Sequence, residues 1–276
     1  MGDWQQEKKW YASRDLETRK TWYSNVAEAY NQVRPRYPHE LCDRAIEVTQ
    51  LHPDAKILEI GSGPGNATVE FAKRGFSMVC LEPSRESCQF LEENCRKYPN
   101  VKIANTSFEE WELAEENFDV VLAANAFHWI PPETSYSKTA EALKSEGHLV
   151  LLWNTSLEPR YEEYQCLNEV YQQYAPSLSR YEGRGKQEEI LQGFGEEIAN
   201  SGRFQEVICE KIPRHATYTV DDYLLLLRTF SPYLHLETRD RESLFAGLKE
   251  AIDREFDGKI DLFYLSAFHI ARKRSR

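Results

Sequence analysis

Three alternating glycines and an acidic residue form the pattern in this chain that is best suited to binding a ligand. Gly61, Gly63 and Gly65 follow the apolar segment 56–60, and Glu82 closes the next apolar run. Glycines at this spacing allow a tight turn and let a ligand approach the backbone without meeting a Cβ atom. A carboxylate at the carboxyl end of a second parallel strand can accept both hydroxyls of a ribose. The pattern predicts a loop that binds a nucleotide-type cofactor.

Two common nucleotide-binding loops do not fit this spacing. The dinucleotide fingerprint places its third glycine three positions after the second, where this chain has Asn66. The phosphate-binding loop requires Gly-Lys followed by Ser or Thr, and this tripeptide does not follow Gly65. An NAD-dependent enzyme therefore remains an alternative that the fold allows and the spacing opposes.

Glu59, two positions before Gly61, completes the pattern. An acidic residue before alternating glycines, with a second strand that ends in an acid, resembles the first two motifs of class I S-adenosylmethionine-dependent methyltransferases. The resemblance implies that the cofactor is S-adenosyl-L-methionine and that the activity is methyl transfer. It also implies that the glycines form a backbone wall beside the methionine portion, that Glu82 holds the ribose, and that Glu59 supports the loop.

Two later segments extend this resemblance. Residues 118–129 are similar to the family's fourth strand and the cofactor-facing turn after it, and residues 147–154 are similar to its fifth strand. The Ala-Phe-His-Trp and Trp-Asn sequences within them are closest to the small-molecule group that includes trans-aconitate methyltransferases. The resemblance is specific over residues 55–154. The further cofactor contacts that it implies are Ser107, Phe108, Asn125 and Ala126.

Methyl transfer from a sulfonium is an in-line displacement, so the protein mainly has to align the nucleophile and exclude water. Neither a metal nor a nucleophilic side chain is required. His128 lies just beyond the cofactor-facing turn, where an imidazole could remove a proton from a hydroxyl or amine acceptor. The other interpretation is that His128 only bonds a backbone carbonyl while Trp129 packs beneath a cap. A carboxylate acceptor needs no base.

Tyr30, Arg34 and Tyr37 form a second candidate set, which would bind the substrate together with Trp129. They lie in a proline-rich stretch that is similar to the family's N-terminal segment, which folds over the cofactor. An arginine there could pair with a carboxylate, although a surface arginine in a turn is an equal interpretation. We expect methylation of a small molecule at a carboxylate or hydroxyl oxygen. The alternatives are N- or C-methylation and a non-catalytic module that holds cofactor or partner.

Composition narrows the class of protein. The net charge of −11 over 276 residues argues against a general nucleic-acid binder, which usually has a basic face. The six cysteines contain no Cys-x-x-Cys pair and lie mostly in apolar segments, which predicts reduced core thiols. The polar N-terminus has no apolar segment behind it, so we expect a cytoplasmic protein without a membrane partner. The sequence does not indicate an oligomeric state.

Strand and helix patterns alternate through residue 154, which requires a mostly parallel sheet with right-handed crossovers. We therefore expect an α/β, doubly wound sheet, which the resemblance extends to seven strands, with ligands at the carboxyl ends of the strands. Asn66 is predicted to cap the helix after the glycines. Periodic apolar residues predict helices before the sheet over 22–33 and 41–51 and a helical cap, inserted after strands five and six, over 157–185 and 220–256. The last strands are predicted over 204–212 and 261–271, and the family implies that this pair is antiparallel.

These elements predict one structural unit with three parts. Residues 1–54 would be N-terminal helices that cover the cofactor site, and residues 55–154 the S-adenosylmethionine-binding core. Residues 155–276 would complete the sheet and carry the cap insertions. The tyrosines of the first insertion are expected to pack mostly at the seam between cap and core.

Overall fold

The computed structural model describes residues 13–113 and 115–275. The strands are β1 (Lys56–Ile60), β2 (Ser77–Leu81), β3 (Val101–Ala104), β4 (Phe118–Ala124), β5 (Leu143–Asn154), β6 (Phe204–Thr219) and β7 (Lys259–Lys273). They form one seven-stranded sheet in the order β3-β2-β1-β4-β5-β7-β6. Strands β1 to β5 pair in parallel, and β7 is antiparallel to both β5 and β6. The predicted doubly wound, mostly parallel α/β class is confirmed.

Helices precede the sheet, connect its strands and follow β5 and β6. The α-helices are α1 (Leu16–Thr21), α2 (Ala27–Val33), α3 (His39–Val48), α4 (Thr68–Ala72), α5 (Arg85–Cys95), α6 (Pro132–Ala142), α7 (Tyr161–Tyr174), α8 (Gly183–Asn200), α9 (Val220–Leu227), α10 (Ser231–Leu234) and α11 (Thr238–Glu255). Short 3-10 helices lie at Ser24–Val26, Phe127–Trp129 and Pro176–Leu178. Within the described residues, no helix combines the length and apolar character needed to cross a membrane.

The sheet is buried on both faces. Along β4, Val121 and Ala123 belong to the apolar cluster that includes residues of α6 and α8, whereas Val120 and Leu122 belong to the cluster that includes residues of α3, α4 and α5. Successive side chains of a strand point to opposite faces, so a strand covered on both sides needs a continuous apolar run. This run is why the central strands could be predicted from the sequence.

Helices α7, α9 and α11, which follow β5 and β6, share an apolar cluster of their own. Leu167 and Tyr171 of α7 join Leu244 and Leu248 of α11 in this cluster, together with residues of α9 and β7. Tyr161, at the start of α7, is 52% exposed. The expectation of packing is therefore correct for Tyr171 and wrong for Tyr161.

Several predicted boundaries were wrong for physical reasons. The helix expected over 22–33 is interrupted, because a 3-10 turn at Ser24–Val26 precedes α2. Strand β6 continues to Thr219, well beyond the predicted end at 212, because it pairs with β7 along almost its whole length. One row of its side chains is exposed, so its apolar signal is weak. Four cysteines are buried as expected, but Cys166 and Cys209 are exposed.

Candidate active site

A cavity of about 320 Å³ lies at the carboxyl ends of the central strands. One wall comes from the glycine loop after β1, the end of β2 and the turns after β3 and β4. The opposite wall comes from α1, α2 and the segments after β5 and β6. The candidate residues that line the cavity are Tyr30, Arg34, Gly61, Gly63, Glu82, Ser107, Phe108, Asn125, Ala126, His128 and Trp129. Glu59, Gly65 and Tyr37 lie outside its lining and support the wall from beneath.

The three loop glycines have positive φ angles but different surroundings. A Cβ atom on Gly61 would lie 2.7 Å from the Cβ of Ala126, so this glycine allows the loop to pack against the turn after β4. A Cβ on Gly65 would lie 2.8 Å from Cδ1 of Leu91 in α5. A Cβ on Gly63, where φ is +54°, would have no atom within 4 Å, although Gly63 lines the cavity. Gly63 therefore keeps open a part of the cavity that a side chain would fill.

Glu82 is buried beside this loop and is held by backbone N–H groups. Its Oε2 accepts a hydrogen bond from the Gly63 N–H at 2.8 Å, and its Oε1 accepts one from the Ser84 N–H at 2.8 Å. Burial raises the pKa of Glu82 to about 7, despite these two hydrogen bonds. Each carboxylate oxygen can accept more than one hydrogen bond, so Glu82 retains the capacity to accept hydroxyl groups from a ligand.

Glu59 is fully buried beneath the loop. Its Oε2 accepts hydrogen bonds from Oγ1 of Thr68 at 2.6 Å and from Sγ of Cys80 at 3.6 Å. Burial raises the pKa of Glu59 to about 8. The predicted cap at Asn66 is wrong: α4 begins at Thr68 without a side-chain cap, and Asn66 accepts a hydrogen bond from Arg36.

Asn125 has a left-handed backbone conformation, with φ of +49°, which Asn tolerates better than most residues. Its Oδ1 accepts hydrogen bonds from the Tyr37 hydroxyl and the Asn154 N–H, both at 2.7 Å, and its Nδ2 donates to the Asn154 carbonyl at 2.8 Å. The side chain is therefore occupied in joining the ends of β4 and β5 to Tyr37. Asn125 shapes the cavity wall chiefly through its backbone.

His128 lies in the 3-10 helix that follows this turn, in an aromatic environment. The centroid of its ring is 4.9 Å from that of Trp129, 5.7 Å from that of Trp153 and 6.2 Å from that of Phe194. Trp153 stacks on Phe194 with ring centroids 4.1 Å apart. The β4 turn and α8 together thus place an imidazole in the cavity wall.

Arg34 is fixed at the other side of the cavity. Its Nε donates to Oγ1 of Thr229 and its Nη2 to the Thr229 carbonyl, both at 2.7 Å. The guanidinium carbon lies 3.8 Å from the centroid of the Phe230 ring and 5.0 Å from that of Tyr30. These contacts argue against the interpretation of a solvated surface arginine. They hold a positive charge in the cavity lining.

Sequence reasoning missed the contribution of α1 and the residues after it. Arg19 donates through Nη1 to Oε1 of Glu109 at 2.6 Å and to the Trp129 carbonyl at 3.1 Å. The Tyr23 hydroxyl lies 2.7 Å from Oγ of Ser231. These residues line the cavity but carry no local motif, because their partners lie far away in sequence. Helix α1 is short and has no buried residue, so the sequence offered no apolar period there either.

The wall formed by the glycine loop, the end of β2 and the turns after β3 and β4 is called the cofactor wall below. Its residues fit a nucleoside with a methionine-like chain. Gly63 leaves the required space open, and Glu82 offers acceptors beside it. Phe108 is buried and, with Ser107, lines the cavity after β3, where an apolar ring can contact a base. Across residues 13–113 and 115–275, no cluster of three or more His, Cys, Asp or Glu side chains is arranged to hold a metal ion.

Comparisons with known proteins support the same assignment. Residues 57–147 match a family model described as a methyltransferase domain. An uncharacterized methyltransferase-like protein of Schizosaccharomyces pombe is 28% identical over 234 residues, which cover 84% of this chain and 85% of that protein. The matched domain and this relative support the interpretation of the chain as a class I S-adenosylmethionine-dependent methyltransferase.

Solved structures show the same fold. A type II methyltransferase candidate from Anaeromyxobacter dehalogenans has a TM-score of 0.63 at 17% identity, covering 87% of this chain and 97% of that one. Phosphoethanolamine N-methyltransferase 2 of Haemonchus contortus, solved with S-adenosyl-L-methionine, has a TM-score of 0.53 at 16% identity, covering 95% of this chain and 60% of that one. The fold is that of the class I methyltransferases.

Proposed function

We propose that this protein transfers a methyl group from S-adenosyl-L-methionine to a carboxylate or hydroxyl oxygen of a small molecule. The observation that carries this proposal is one cavity that joins the wall of Gly63 and Glu82 to the side chains of Arg34 and His128. When bound, the cofactor supplies a methyl group on an activated sulfonium leaving group. The protein then has to orient the acceptor and exclude water.

The cofactor wall has a distinct task for each group. Gly61 and Gly63 would present backbone to the methionine portion, with Ala126 closing the turn opposite them. Glu82 would accept hydrogen bonds from the ribose hydroxyls, and Ser107 and Phe108 would contact the adenine. Glu59, Gly65 and Asn125 would act indirectly, by fixing the loop and the end of β4 through the contacts described above.

The charges around the cavity favour an oxygen acceptor over a cationic amine. Among the described residues, the carboxylates that line the cavity are Glu82, beside the cofactor loop, and Glu109, which is paired with Arg19. Arg34 is held there by Thr229 and by two aromatic rings. A guanidinium in this position would attract a carboxylate group of the acceptor, and an unpaired ammonium group would meet no free carboxylate.

The size of the cavity and the net charge favour a small acceptor over a nucleic acid. A cavity of about 320 Å³ with an aromatic lining is within the usual range for small-molecule sites. We further propose that residues 155–276 carry the helices that close over the acceptor, since Phe194 and Phe230 contribute to the lining. Tyr30 and Trp129 would pack against the acceptor, whereas Tyr37 would support Asn125.

The first experiment is calorimetric titration of the purified chain with S-adenosyl-L-methionine and, separately, with NAD. The proposal requires binding of S-adenosyl-L-methionine, whereas binding of NAD alone would overturn it. A methylation screen over carboxylic acids, phenols and amines, read by mass, then identifies the acceptor class. Cofactor binding without any product would favour the non-catalytic module, and a methylated amine would replace the oxygen acceptor by a nitrogen acceptor.

A further inference from the structure

The lysine and arginine side chains that line the main cavity differ in their partners. Arg19 forms an ion pair with Glu109, with Nη1 and Oε1 2.6 Å apart. Lys20 forms one with Glu110, with Nζ and Oε2 3.2 Å apart. Among the described residues of the lining, Arg34 is the lysine or arginine without a carboxylate partner. Its positive charge is therefore left for a ligand to balance.

The contacts of Arg34 determine which of its N–H groups remain. A guanidinium and its Nε carry five N–H donors in all. One N–H of Nε and one of Nη2 donate to the hydroxyl and the carbonyl of Thr229, both at 2.7 Å. The guanidinium carbon also lies over the Phe230 ring, 3.8 Å from its centroid. With no further acceptor among the described residues, three N–H groups, two of them on Nη1, are left for a ligand.

Thr229 meets Arg34 as a hydrogen-bond acceptor. It is fully buried, and its hydroxyl donates to the Leu226 carbonyl at 2.6 Å. A hydroxyl group has one proton and two lone pairs, so the group that Thr229 Oγ1 offers to Arg34 is a lone pair. Thr229 lies between α9 and α10, far in sequence from Arg34 at the end of α2. The contact therefore fixes the orientation of the guanidinium from a second segment of the cavity.

A guanidinium that is held through Nε and Nη2 can still bind a carboxylate through its remaining N–H groups. We propose that Arg34 anchors a carboxylate of the acceptor and that Thr229 is the positioning residue of this anchor. The pair would select carboxylic acids over uncharged molecules of the same shape. This inference rests on the proposed methyltransferase function and deepens it, because it requires a carboxylate in the acceptor, whichever of its oxygens receives the methyl group.

The charge and the surroundings of Arg34 favour a carboxylate over a phosphate group. Arg34 supplies one positive charge, and a carboxylate carries one negative charge at neutral pH, whereas a phosphate monoester carries about 1.5 to 2. The charges of Arg19 and Lys20 are already paired. Tyr30 and Phe230 line the cavity beside Arg34, with ring centroids 5.0 and 3.8 Å from the guanidinium carbon. An acid with an apolar or aromatic body fits these neighbours.

The first test measures binding without turnover, through the NMR signal of the Arg34 Nε–H group with S-adenosyl-L-homocysteine added. Arg34→Gln assigns the signal. The probes are a mixture of aliphatic and aromatic carboxylic acids, a mixture of the corresponding primary amides, and inorganic phosphate. The acids should shift the signal until it saturates, and the amides and phosphate should leave it in place. No shift with the acids, or an equal shift with the amides or phosphate, would overturn the proposal.

The second test uses the steady-state kinetics of an acid that the methylation screen identifies. Thr229→Val should raise KM for this acid by at least about tenfold with little change in kcat, because a hydrogen bond to a charged group is lost. Thr229→Ser keeps the hydroxyl group and should restore most of the parental KM. Arg34→Gln should raise KM roughly a hundredfold. An equal rise in Thr229→Val and Thr229→Ser, with parental circular dichroism, would contradict a positioning role for the hydroxyl.

Arg228→Gln is the matched control for Arg34→Gln. Arg228 is the neighbour of Thr229, pairs with Glu242 at 3.0 Å and lies 4.7 Å from the centroid of the Phe245 ring, but it does not line the cavity. Its substitution should leave KM for the acid unchanged.

The outcome of the screen separates this inference from the proposed function. Methylation of molecules without a carboxylate, at a kcat/KM equal to that of the acids, would overturn the anchor and leave the methyltransferase function standing. Failure of the proposed function is visible on its own, as absence of S-adenosyl-L-methionine binding in calorimetry.

Discussion

The two walls of the cavity are built in different ways. The cofactor wall comes from one continuous region, residues 59–126, and relies on backbone N–H groups, missing Cβ atoms and the carboxylate of Glu82. The opposite wall, which we call the acceptor wall, comes from three distant segments: the N-terminal helices, the segment after β5 and the segment after β6. Side-chain contacts join these segments, such as those from Arg34 to Thr229 and from Tyr23 to Ser231. Backbone geometry tolerates few substitutions, whereas side chains can be exchanged. The proposed cofactor site therefore depends mainly on backbone geometry, and the proposed acceptor site depends on side chains.

The largest expected effect is on the cofactor wall. Gly63→Val should abolish binding of S-adenosyl-L-methionine, because the new side chain would occupy open space in the cavity at a φ of +54°. Gly75→Val is the matched control: Gly75 also has a positive φ, +91°, and open space around its Cβ position, but it does not line the cavity. Gly75→Val should introduce similar backbone strain, but its affinity for S-adenosyl-L-methionine, measured by calorimetry, should equal that of the parent. Parental affinity in Gly63→Val would show that the loop is only a turn.

The next effect concerns the boundary between the two walls. His128→Ala should lower turnover of a hydroxyl acceptor by roughly 10²–10⁴-fold, since a positioned base is lost, while cofactor affinity changes little. The rate should recover partly as the pH rises, because more of the acceptor ionises without help. The measurement is kcat as a function of pH beside calorimetry. If His128→Ala keeps the parental rate, His128 is not the base. If the variant loses affinity for S-adenosyl-L-methionine together with its rate, His128 contacts the cofactor instead.

A smaller effect is expected for the carboxylate of the cofactor wall. Glu82→Ala should weaken cofactor binding by about 1.5–3 kcal/mol, the scale of hydrogen bonds to a charged group. Glu92→Ala, on the exposed side of α5, should bind like the parent. Because burial raises the pKa of Glu82 to about 7, the affinity of the parent should fall as the pH drops below 7 and the carboxylate becomes protonated. Calorimetry over this pH range should show no such slope in Glu82→Ala.

The smallest effect tests the support beneath both walls. Tyr37→Phe removes the 2.7 Å hydrogen bond to Asn125, whose Oδ1 keeps the Asn154 N–H as a partner. The free energy of unfolding in urea should fall by about 1 kcal/mol, with cofactor affinity nearly unchanged. Tyr161→Phe, at an exposed position, should leave both quantities as they are. A large loss of affinity in Tyr37→Phe would place this residue in direct contact with the ligand.

Prediction from the sequence succeeded where a structure is local. Strand β1 was predicted at its observed bounds, and Glu82 follows β2 as expected, because a strand, a glycine turn and a following strand are encoded within a short stretch. Prediction failed where a residue had two possible partners. Asn66 has the chemistry of a helix cap, yet it accepts a hydrogen bond from Arg36. Asn125 lines the cavity, and its contact with the cofactor stays a prediction.

By itself, the sequence determined the doubly wound sheet and the edge at which a ligand must bind, because strand periodicity and the position of a glycine turn constrain the backbone locally. Only the tertiary structure decided which side chains form the acceptor wall. The apolar face of a helix specifies that it must pack, but not against which neighbour. Arg19, Tyr23 and Phe194 therefore have no recognisable motif, and they come to the cavity only through the packing of segments that lie far apart in the chain.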